Sequence, residues 1–108
     1  MNMSEYILSI LRMQPNIVFS WGFNTCHALS NGILFRVQGY LFKGWVKVIY
    51  VYGRDTFTVI LLNNSMETAK EIEDVYLDNL VQVIDYNVER DKEFDYEQRV
   101  KDEYMLGD

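Results

Sequence analysis

The sequence predicts a single α+β domain: a short N-terminal helix, an antiparallel β-meander of three to four strands, and a long C-terminal amphipathic helix followed by a short polar helix or tail. Three observations carry this. Residues 33–62 are β-branched and aromatic runs broken by short Gly-containing turns. Residues 68–90 carry apolar side chains at helical spacing. A chain of 108 residues with 49% hydrophobic content fits one domain with one core.

Taken in order, Ser4 is placed to cap a helix over residues 4–13, in which Ile7, Ile10 and Leu11 form an apolar stripe and which Pro15 stops. Residues 17–23 carry bulky side chains at every odd position, the period of a strand. Residues 24–31 read as a loop ending in the turn dipeptide Asn31-Gly32.

Three strands follow, joined by turns at Lys43-Gly44 and at Gly53-Arg54-Asp55. Pairing through those turns places Ile33, Phe35, Val37, Val46, Val48, Ile60 and Leu62 on one face. The other face collects Arg36, Tyr40, Trp45, Lys47, Ile49 and Phe57. Neither face is cleanly polar, so the second is expected to be covered by a helix or by another copy of the chain. That second face is the candidate sheet-face interface.

Thr68 to Glu71 has the form of a capping box, from which the long helix runs to about Arg90. An alternative reading breaks it at Asp78-Asn79, with Asp78 capping a second helix. On one unbroken helix Glu71, Asp74, Asp78, Asp85 and Glu89 fall at i, i+3, i+7, i+14 and i+18, a single acidic ridge. Residues 91–108 read as a polar peripheral helix or frayed tail with Phe94, Tyr96, Val100 and Tyr104 as its apolar anchors.

Charge is divided unevenly. Residues 1–66 hold two acids and five bases, a balance of +3; residues 67–108 hold fourteen acids and five bases, a balance of −9. The acidic ridge reads either as a solvated face or as a surface for a basic partner. The net charge of −6 argues against nucleic acid as a ligand, even though Arg36, Tyr40, Trp45 and Lys47 together have the composition of a stacking platform.

The tests for chemistry fail. The lone Cys26 excludes an intramolecular disulfide and favours a reducing, cytoplasmic compartment. With His27 the only histidine, no zinc set can be assembled, and neighbours on an extended segment point to opposite faces, which separates this Cys–His pair. Neither a phosphate-binding glycine loop nor an apolar run long enough to span a bilayer is present. The expectation is therefore a non-enzymatic interaction module without cofactor or metal, self-associating through the sheet as a homodimer. The alternative is an acidic decoy whose carboxylate ridge fills the basic groove of a nucleic-acid-handling protein.

Overall fold

The computed structural model describes residues 2–89, so the expected polar helix or tail over residues 91–108 lies outside the described residues. Helix α1 spans Met3–Arg12. Its N-cap is Asn2, whose side-chain oxygen accepts from the Glu5 amide at 2.9 Å, while the Ser4 hydroxyl donates to that same oxygen at 2.7 Å. Ile7 and Leu11, one turn apart, are buried.

The period-two segment is a helix. Pro15 starts α2 (Pro15–Ser20) rather than only stopping α1, since its missing N–H falls where a helix has no partner for it. A strand would have aimed Ile17, Phe19 and Trp21 the same way. The helix instead turns Ile17, Val18 and Trp21 toward the core and leaves Phe19 85% exposed.

The sheet has five antiparallel strands in sequence order, one or two more than expected. Strand β1 (Asn24–Leu29) occupies the segment expected to be a loop. It has no apolar alternation because it is an exposed edge, held to β2 (Gly32–Gln38) by the pairing of Leu29 with Gly32 across Ser30 and Asn31.

Between β2 and β3 (Lys43–Val51) the connection is residues 39–42, so Lys43 and Gly44 are strand residues and Tyr40 lies in the loop. The next turn is one residue longer than expected. Val51 pairs with Thr56 across residues 52–55, Asp55 adopts φ 57°, and both Arg54 and Asp55 amides donate to the Val51 carbonyl. That extra residue reverses the faces of β4 (Thr56–Leu62). Phe57, Val59 and Leu61 point to the helices, and Phe57 leaves the expected interface face for the core.

The long helix over residues 68–90 is replaced by three elements: β5 (Thr68–Val75), a 3₁₀ turn (Leu77–Asn79) and α3 (Leu80–Val88). The helical spacing in the first of these comes from a bulge. Ile72 pairs with Val59 and Val75 with Phe57, with a register shift between the pairs and Asp74 at φ 57°. One inserted residue puts side chains three apart on the same face of a strand, which imitates one helical turn. The break near Asp78-Asn79 is present, but Asp78 is not the cap. The Asn79 side chain accepts from the Tyr76 amide at 3.0 Å instead.

The three described α-helices pack on one side of the sheet. Ile7, Leu11, Trp21, Leu80, Ile84 and Val88 join Ile33, Phe35, Val37, Val46, Val48, Phe57, Val59 and Leu61 in one buried cluster. Phe35 is clasped by Trp21 at 6.3 Å and Phe23 at 4.6 Å between ring centroids. The C-terminus of α3 meets the β2–β3 loop, where the Val88 carbonyl accepts from the Leu41 and Phe42 amides and the Glu89 carboxylate from the Tyr40 amide. None of the described helices is long and apolar enough to cross a membrane.

Candidate interaction surface

Residues paired across antiparallel strands share a face, so the registers define the side of the sheet turned away from the helices. One row across it is Asn24, Arg36, Trp45, Leu62 and Thr68. The next is His27, Leu34, Lys47, Ile60 and Glu71, and a third places Ile49 between Gly32 and Thr58. Beyond it Val51 faces Thr56, whose buried hydroxyl has no hydrogen-bond partner among the described residues.

Of the expected interface residues, Arg36, Trp45, Lys47 and Ile49 are brought together here. Arg36 places its guanidinium carbon 5.9 Å from the Trp45 ring centroid, and His27 stands 6.0 Å away by ring centroids. Tyr40 sits beyond the strands, and Phe57 is on the opposite face. Sequence reasoning missed Leu34, Ile60, His27 and Glu71. Ile60 was hidden by the turn length, His27 by the expected loop and Glu71 by the expected helix, whereas Leu34 stands two residues from Arg36 on an expected strand, where alternation alone places it on this face.

Leu34, Trp45, Ile49, Val51 and Ile60 are partly exposed and stand outside the buried core cluster. Apolar side chains left partly open to solvent on the central strands depart from the polar alternation of a sheet face turned wholly to water.

The acidic residues do not form a ridge, because the helix that would align them does not exist. Glu71 is on the outward face of β5. Asp74 sits at the bulge and pairs with Arg54 at 3.1 Å, an exposed contact of little energetic weight. Asp78 is exposed in the 3₁₀ turn. Asp85 accepts from the Trp21 indole N–H at 2.9 Å, and Glu89 serves the loop amide already described.

Cys26 and His27 diverge as neighbours on a strand should. His27 faces Trp45, and Cys26 lines a groove beside α1 and α2. Partial burial pushes the Cys26 thiol above its ordinary value, against an opposing pull from Arg12. Among the described residues, no three His, Cys, Asp or Glu side chains converge as a metal site. No protein-family model matches this chain, and no curated protein or solved structure matches it either.

Proposed function

We propose that this chain is a non-enzymatic interaction module that forms a homodimer by packing the outward sheet faces of two copies against each other. The observation that supports this reading is the apolar strip Trp45, Ile49, Val51 and Ile60, which lies on the central strands β3 and β4 yet outside the core. Burying such side chains against a second sheet releases water at roughly 25 cal/mol per Å² of apolar area. Two sheets packed in this way lie about 10 Å apart.

The placement of charges on the face supports a second copy as the partner. Lys47, Ile60 and Glu71 are lateral neighbours on β3, β4 and β5. A two-fold axis running along β4 lays Ile60 on Ile60 of the other copy. The same axis sets Lys47 of each copy over Glu71 of the other, so one contact is satisfied twice, as an isologous interface requires. A two-fold along β3 would instead stack Lys47 on Lys47.

Charge reversal tests the arrangement. Lys47→Glu and Glu71→Lys should each dissociate the dimer in sedimentation equilibrium. The double variant Lys47→Glu/Glu71→Lys should restore it. Single variants as dimeric as the parent, or a double variant no better than either, would remove this pairing. The acidic decoy reading is not carried forward, since it needs the single helical ridge that β5 and its bulge replace.

A further inference from the structure

On the helix side of the sheet, opposite the proposed dimer face, α1, α2 and β1 border an open groove of about 380 Å³. That volume lies at the small end of ligand pockets, which run from roughly 300 to 1,000 Å³. Its walls are apolar: Leu8 and Leu11 from α1, Val18 from α2, and Phe23 before β1. Phe19 stands at its rim, 85% exposed, although nothing polar on that side chain favours water. One charged side chain lines the groove, that of Arg12 in the last turn of α1, and it has no ion pair among the described residues. Cys26 lines it as well, with an exposed thiol.

An apolar trough with a single unpaired cation selects for both ends of an amphipathic anion. Water is displaced from the trough by an alkyl chain, and a guanidinium meets a carboxylate through two parallel N–H···O bonds better than it meets any neutral head group. A cationic amphiphile of the same length would bring its charge against Arg12. We propose that this groove binds a medium-chain alkyl carboxylate, its chain along Leu8, Leu11 and Phe23 and its head group against Arg12. The proposal does not depend on the dimer, because the two surfaces lie on opposite sides of the sheet.

The single cysteine reports occupancy directly. The rate of Cys26 alkylation by iodoacetamide is followed in the full-length chain with decanoate, decanol or decyltrimethylammonium, each below its micellar concentration. Decanoate should slow alkylation at the lowest concentration, and each methylene removed from it should weaken protection by about fourfold. Arg12→Gln, at an exposed position, should weaken protection by decanoate about tenfold or more while leaving decanol unchanged. Urea denaturation of that variant confirms its fold. Equal protection by all three amphiphiles, or none at all, would overturn the assignment.

Discussion

The indole N–H of Trp21 donates to the Asp85 carboxylate at 2.9 Å, joining the end of α2 to the middle of α3 across 64 residues of sequence. Trp21 is fully buried, so its one polar atom needs a partner, and an acidic residue of the C-terminal half supplies it. Asp85 thus does a structural task inside the fold. Asp85→Ala should lower unfolding stability by about 1–3 kcal/mol, the range for a bond to a charged acceptor. Asp85→Asn, which keeps an accepting oxygen, should lose less. Urea denaturation compares the two, and equal losses would show that the bond to Trp21 is not what matters.

Gly39 is required by a close approach. A Cβ placed there would strike the carbonyl oxygen of Val88, the atom that receives the Leu41 and Phe42 amides. Neither side of that contact is a flexible side chain, so the loop and the end of α3 must separate. Gly39→Ala should destabilise by about 1–3 kcal/mol. Gly53→Ala, where an added Cβ meets nothing, is the matched control and should be nearly neutral.

Thr56 is 4% exposed, and its hydroxyl is unpaired among the described residues. Replacing that hydroxyl by a methyl group of similar shape removes a desolvated polar atom. Thr56→Val should therefore raise stability by about 1 kcal/mol, read as a higher urea midpoint at unchanged slope.

The phenol of Tyr50 donates to the Asp55 carboxylate, and that bond is the main reason its ionisation is pushed above the ordinary tyrosine range. A raised folded-state value means that the native chain holds this proton more tightly than the unfolded chain. The contribution to stability is then fully present below about pH 10 and is lost as pH rises through the folded-state value. Ultraviolet difference titration should show a tyrosine ionising late, and Asp55→Ala should return it toward the normal range.

Much of the architecture is legible in the residues. Strands β2, β3 and β4 and the first helix follow from spacing that packing later obeys. The errors share a cause: local patterns were read without the turns and bulges that set their phase. One extra residue between Val51 and Thr56 moved Phe57 and Ile60 to opposite sides. A bulge at Asp74 made a strand read as a helix, and with that helix went the acidic ridge. Strand β1 carries no signal of its own, since Asn24, Thr25, Cys26 and His27 are exposed and only pairing with β2 makes them a strand. Most of the outward face was nevertheless legible: the turn lies at residues 39–42 instead of Lys43-Gly44, and this even shift in register leaves Arg36, Trp45, Lys47 and Ile49 on their shared face.

The central claim is that water is driven off the outward sheet face by a second copy of the chain. Analytical ultracentrifugation of the full-length protein over a micromolar concentration series measures this. The account predicts a mass of twice 12.8 kDa for the parent chain and a folded species of 12.8 kDa for Ile49→Glu, which puts a charge in the middle of the strip. A parent chain that sediments at 12.8 kDa throughout the series contradicts it.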